Sequence, residues 1–248
     1  MTENSPFAEQ KAGADPFSVV RIEHDGPAGV GLTEWEKLDP ATLASGEPVQ
    51  RGHFYGLNEE SGYSMGVWDC TAFDDAPGPY PVDEYMVLLE GSVIMAQPDG
   101  TETVINAGDA FVLPRGLDCQ WKMPGYVRKI FMIVEGDGRA ASSNPSHARV
   151  TVPSFAPLSS PSEGAVSSHE QVFLSADGRM GVQRIDFHHA VEGPVPMSAE
   201  CLVTVLEGSV EIEGHQFAKG DSFQLLASAK PAWKIAAGTR LILAAYTA

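Results

Sequence analysis

Leu89-Glu90-Gly91-Ser92-Val93 returns 117 residues later as Leu206-Glu207-Gly208-Ser209-Val210. Downstream, Gly108-Asp109 with Phe111 returns as Gly220-Asp221 with Phe223, and Trp121-Lys122 returns as Trp233-Lys234, now at a spacing of 112. The smaller spacing fits a shorter connection after Val210. Upstream, Met65-Gly66-Val67 matches Met180-Gly181-Val182. Segments shared in the same order at nearly constant spacing mark two copies of one structural unit.

Each copy reads as β. Short apolar runs rich in Val, Ile, Leu and Phe are bounded by Gly, Pro, Asp and Asn. Pro98-Asp99-Gly100 reads as a hairpin turn, with Glu213-Gly214-His215 as its counterpart. Helical periodicity is scarce; Leu32–Ala44 has room for one or two helical turns. The expected organisation is a disordered tail over 1–16, an N-terminal copy over 17–136, a linker over 137–148 and a C-terminal copy over 149–248. Evenly spaced short strands in units of this size predict an all-β chain in which each copy is a sandwich or jelly roll.

The 248 residues are 43% apolar and 20% charged, a globular composition. With 16 basic against 33 acidic residues the formal net charge is −17, so nucleic acid and anionic membrane, which demand a cationic face, are not expected partners. The longest apolar runs, Tyr85–Leu89 and Leu241–Tyr246, fall far short of the ~20 residues that cross a bilayer. The polar start of the chain lacks an export pattern, and Cys70, Cys119 and Cys201 read as free thiols, so a reducing cytoplasm is expected. Tyr85, Val87 and Leu89 are apolar on the face opposite Met86 and Leu88, and Leu202 and Leu206 repeat this in the second copy. Strands apolar on both faces must be covered on both. Packing of copy against copy provides that cover, and a homodimer is a further expectation.

These residues resemble the cupin superfamily, as a tandem bicupin of the ureidoglycine aminohydrolase and ethanolamine-utilisation-like branch. The first cupin motif ends in Glu, six residues, Gly, matched by Glu84 and Gly91; the second is matched by Gly108, Pro114 and Gly116. Trp68, Trp121 and the pair Arg128-Lys129 also look like that branch. The resemblance implies two double-stranded β-helix barrels. It also implies a metal site of imidazoles with one carboxylate, and here the chain departs from it. No histidine lies near Pro77–Tyr80, where a His-x-His pair belongs, and Cys119 stands in place of the last histidine. In the second copy Cys201 replaces the glutamate and Pro231 the histidine. The expectation is therefore no cofactor and no metal of the family's type.

Candidate site residues follow from strand alternation in the first copy. Glu84 shares a face with Met86 and Leu88 and should look into the barrel, where a carboxylate needs a partner. Its chemistry suits a general acid/base or a ligand anchor. Lys129, alternating with Phe131 and Ile133, is a natural ion-pair partner. The equivalent of Lys129 is Leu241, so both charges are lost together in the second copy. Cys119 and Trp121 share an inward face, and Trp68, Tyr80 and Tyr126 are candidates for walls and mouth. His53 is an outlying candidate; His188 and His189 point to opposite faces of any strand. The favoured reading is a small-molecule-binding bicupin with one polar pocket, in its N-terminal barrel. Two alternatives stay open. One is a hydrolase- or lyase-like enzyme acting on a small nitrogenous or carbonyl metabolite, with Glu84 as its catalytic base, with or without a metal held by Glu84, Cys119 and an unassigned histidine. The other is a purely structural or interaction module.

Overall fold

The computed structural model describes residues 19–136, 149–159, 165–194, 199–226 and 231–248. The expected tail over 1–16 and the linker over 137–148 lie outside the described residues. The described chain is all-β, and its strands gather into two clusters, each of two sheets.

In the first copy one sheet runs β11 (Ala110–Leu113), β8 (Asp83–Glu90), β13 (Val127–Val134), β5 (Tyr63–Cys70), β4 (Gln50–Asn58), β2 (Thr33–Glu34). The other runs β10 (Glu102–Asn106), β9 (Ser92–Ala96), β12 (Asp118–Met123), β6 (Phe73–Asp75), β3 (Leu43–Ser45), with β7 (Gly78–Pro79) also on β12. Trp68, Met86, Leu88 and Phe131 of the first sheet pack with Val93, Met95, Trp121 and Met123 of the second. In the second copy one sheet runs β1 (Val19–Ile22), β20 (Ser222–Leu225), β17 (Glu200–Glu207), β22 (Arg240–Tyr246), β15 (Met180–Phe187), β14 (Ser167–Leu174). It faces β16 (Val191–Pro194), β21 (Ala232–Ile235), β18 (Ser209–Ile212), β19 (His215–Ala218) across Val203, Val205, Phe217, Phe223 and Trp233.

The repeated Leu-Glu-Gly has a geometric cause. Opposite β13, Arg128 pairs with Glu90 and Lys129 with Leu88, so Leu89 is a bulge; opposite β22, Arg240 pairs with Glu207 and Leu241 with Val205, so Leu206 is one too. Two residues on, Gly91 or Gly208 has φ 80° or 79°, and a Cβ there would sit 2.1 Å from the Tyr126 carbonyl oxygen or 2.5 Å from Thr239 Oγ1. Only glycine takes that backbone without strain. Bulge and glycine together carry the chain from one sheet into the other. The two hairpin turns stand where expected, the second with Glu213 at φ 50° and Gly214 at 84°, as a tight two-residue hairpin requires. Leu32–Ala44 differs: it holds a single 3-10 turn, Pro40–Thr42, and otherwise extended chain. Asp39 caps that turn by accepting from the Ala41 amide at 2.9 Å.

Register also corrects one detail of the repeat. Met65 lies opposite Met132, and the matching pair in the second copy is Val182 with Ala244, whereas Met180 lies opposite Tyr246. The Met-Gly-Val match is thus two residues out of step, a shift that alternation hides because it preserves the faces.

The two larger sheets pack face to face. Tyr63, Met65, Val67, Tyr85, Val87 and Met132 of the first copy share one core with Met180, Val182, Leu202, Ile242, Ala244 and Tyr246 of the second. Tyr63 stacks on Tyr246 at 4.4 Å between ring centroids. This is the cover that strands apolar on both faces require. Each larger sheet is also finished by chain that precedes the other copy. Val19–Ile22 pairs with β20, while Thr151 and Val112 exchange backbone hydrogen bonds of 2.9 and 3.1 Å. Val19 enters the second copy's interior and Val150 the first copy's. Hydrogen bonding thus crosses between residues 17–136 and residues 149–248 in both directions.

Candidate functional site

Glu84 stands near the start of β8, between Leu113 of the edge strand β11 and Ile133 of β13. Its inward side chain is 3% exposed. Lys129 stands four residues before Ile133 on β13, opposite Leu88 and Trp68. Its stem runs along the inner face past Met86, whose Sδ lies 3.2 Å from Nζ, and the ammonium reaches Glu84 Oε1 at 2.8 Å. Tyr80, which follows β7, donates its hydroxyl to Glu84 Oε2. Both carboxylate oxygens are therefore held.

Two indoles complete the box. Nζ of Lys129 lies 4.8 Å from the ring centroid of Trp68 and 4.8 Å from that of Trp121, within cation–π range of both. The Trp68 indole N–H donates to Gln50 Oε1 at 2.9 Å. The Trp121 indole nitrogen, in a side chain only 4% exposed, has no acceptor. Cys119 lies two residues earlier on the same inward face, and burial, then Asp75 and Asp118, pushes its thiol up to about 11. A thiol so far from ionising is a poor nucleophile and a poor ligand. A recess of about 360 Å³ opens beside it, lined by Pro77, Gly78, Gln97, Pro98, Asp118 and Gln120.

Glu84, Lys129, Tyr80, Trp68 and Trp121 are thus brought together, with Cys119 at the edge. Tyr126 is not among them. Its hydroxyl donates to Asp69 Oδ2 at 2.7 Å, in a separate ionic cluster where Arg51 grips Asp69 with bonds of 3.0 and 2.8 Å. Strand alternation explains this, since Asp69 and Arg128 point away from Trp68 and Lys129. His53 also stands apart; it lies opposite Val67, packs edge-on against Tyr55, and burial lowers its pKa. Asp75 was missed by sequence reasoning. It ends the short strand β6, and burial raises its pKa to about 6, a rise that Lys129 opposes and Asp74 reinforces. An Asp-Asp pair beside Ala-Pro-Gly reads as surface loop, so nothing in the sequence marked it.

The second copy differs at the positions of Glu84, Lys129 and Trp68. Cys201 lies between Leu225 and Ala245 as Glu84 does between Leu113 and Ile133, and Leu241 lies opposite Ile185 as Lys129 does opposite Trp68. Trp233 keeps the place of Trp121, and its indole nitrogen also lacks an acceptor. The ionic cluster at the seam is kept instead. Arg128 meets Glu90 at 3.3 Å and Arg240 meets Glu207 at 3.5 Å, and the buried acids Asp69 and Asp186 are their cross-strand partners.

A model of the EutQ-like cupin domain matches residues 57–131, a span that holds every residue of the box. Among solved structures, a protein of unknown function from Pseudomonas syringae pv. tomato superposes with TM-score 0.64 at 19% identity, covering 92% of this chain and 99% of that one. A cupin 2 conserved barrel domain protein from Leptotrichia buccalis gives TM-score 0.56 at 14% identity, covering 87% and 98%. The fold is that of the cupin superfamily. A third structure, provisionally described as a dioxygenase from Nostoc punctiforme, gives TM-score 0.61 at 10% identity, covering 94% and 83%. Comparison with curated proteins gives no sequence match.

Metal-binding cupins raise the question of a metal here, and the donor set does not fit one. Among the described residues no three His, Cys, Asp or Glu side chains are grouped to hold an ion. At the cupin position itself, Glu84 is engaged by an ammonium and a phenol, and the neighbouring thiol resists deprotonation. Nor, among the described residues, is any helix long and apolar enough to cross a membrane.

Proposed function

We propose that this chain is a small-molecule-binding bicupin built from two jelly-roll barrels, with its one polar pocket in the N-terminal barrel. Glu84 and Lys129 are the recognition groups, Tyr80 positions the Glu84 carboxylate, and Trp68 and Trp121 are the walls. The C-terminal barrel is structural. The observation that carries this reading is the asymmetry of the interiors: a buried ion pair in one copy is replaced as a pair by Cys201 and Leu241 in the other. Burying two charges costs more than burying hydrophobes of similar size, so stability alone gives no reason to keep them. An apolar chamber with few placed polar groups is the usual design of a ligand pocket.

The hydrogen bond from Tyr80 to Glu84 favours a second reading, a hydrolase- or lyase-like cupin acting on a small nitrogenous or carbonyl metabolite with Glu84 as base. Thermal-shift screening of a metabolite library separates binder from module. On the binding reading, at least one compound raises Tm in the natural chain and fails to do so in E84Q/K129M. Equal shifts in both proteins would contradict it. Turnover of the compound, lost in E84Q alone, would favour the second reading.

A further inference from the structure

Three features of the box restrict what it accepts. The ion pair is already charge-balanced, with Glu84 Oε1 on Lys129 Nζ at 2.8 Å and both side chains nearly excluded from water. A charged ligand must draw one member away and leave the other buried without a counter-charge, the most costly outcome for such a pair. Glu84 also has acceptor capacity left: its two oxygens offer about four lone-pair sites, and Lys129 and Tyr80 take one each. Finally, the buried indole N–H of Trp121 lacks an acceptor, although buried donors are nearly always satisfied by protein, water or ligand. The box therefore wants an oxygen that accepts from Trp121 and a hydroxyl that donates to Glu84, on a molecule without net charge.

We infer that the ligand of the first copy is an uncharged hydroxylated compound, a small sugar or polyol, with Trp121 as the specificity-determining hydrogen-bond donor. This rests on the binding reading above and names the class of compound. The test uses three probes of matched size, glucose, gluconate and glucosamine, titrated into the full chain at mildly acidic pH while tryptophan fluorescence and heat are recorded. Glucose should bind at least about ten-fold more tightly than either charged analogue. W121F, which removes the N–H and keeps an aromatic ring, should weaken glucose about ten-fold. W233F, in the second copy, should leave glucose binding unchanged. Tighter binding of gluconate or glucosamine overturns the inference, as does a W121F variant that binds glucose normally. No response to any of the three means that water alone occupies the indole N–H, which also overturns it. The comparison of the three probes needs no variant, so misfolding of W121F does not shield the claim. A library compound of other chemistry, lost in E84Q/K129M, would sink the sugar class and leave the binding reading standing.

Discussion

The two copies share a backbone plan and differ in what they bury. At the seam both keep an arginine against a carboxylate, Arg128 with Glu90 and Arg240 with Glu207, each beside a buried aspartate. Among the described residues lining the two interiors, only the first copy carries a charged pair. Its Glu84, Lys129 and Trp68 become Cys201, Leu241 and Ile185, while Trp121 persists as Trp233. The lesson is that seam charges serve the architecture, because both copies need them, whereas interior charges serve something only one copy does. Loss of Glu and Lys together fits a coupled pair, since either one alone would be a stranded buried ion.

The comparison can be broken most forcefully from the second copy. C201E places a carboxylate among Val203, Phe223 and Leu241 with no cation, and should cost about 3–5 kcal/mol in urea unfolding at neutral pH. Adding L241K should recover at least half of that loss. If C201E/L241K is no better than C201E, the two positions are not coupled as their counterparts are. A smaller effect concerns Asp75, whose folded pKa of about 6 lies above its ordinary value because of burial. A raised acid binds its proton more tightly in the folded state, so its contribution is fully present below the ordinary aspartate range and lost as pH rises through about 6. D75N should therefore gain up to about 2 kcal/mol over the natural chain at neutral pH and nothing in acid, read as unfolding midpoints across pH. Equal gains at both ends would contradict the burial account. The smallest effect is kinetic. Burial lifts the Cys119 thiol to about 11 and those of Cys70 and Cys201 to about 12, so native alkylation should be slow at all three, with Cys119, beside the recess, the first to react. Mass spectrometry of the alkylated peptides gives the order, and Cys201 reacting first would place the opening in the wrong copy.

Local chemistry made much of this legible in sequence. Leu-Glu-Gly could be found twice because a bulge followed by a left-handed glycine tolerates little variation. Alternation set Glu84 and Lys129 on inward faces, and the paired change to Cys201 and Leu241 linked them before any distance was known. What stayed hidden depends on distant chain. Val19–Ile22 pairs with Ser222–Leu225 some two hundred residues away, and no local pattern announces such a partner. Arg184 is 2% exposed because its guanidinium is held by the carbonyls of Ser154 and Ala156, some thirty residues away in sequence. Asp75 looked like loop, and Tyr126 looked like a pocket mouth until register turned it towards Asp69.

The central claim is that Glu84 and Lys129 form one energetically coupled unit inside the first copy, and a double-mutant cycle over E84Q, K129M and E84Q/K129M measures it directly by urea unfolding. K129M alone should lose about 3–5 kcal/mol, with the double variant markedly more stable than the sum of the single losses, a coupling of about 2 kcal/mol or more. Losses that add to within about 0.5 kcal/mol would show two independent side chains and contradict the account.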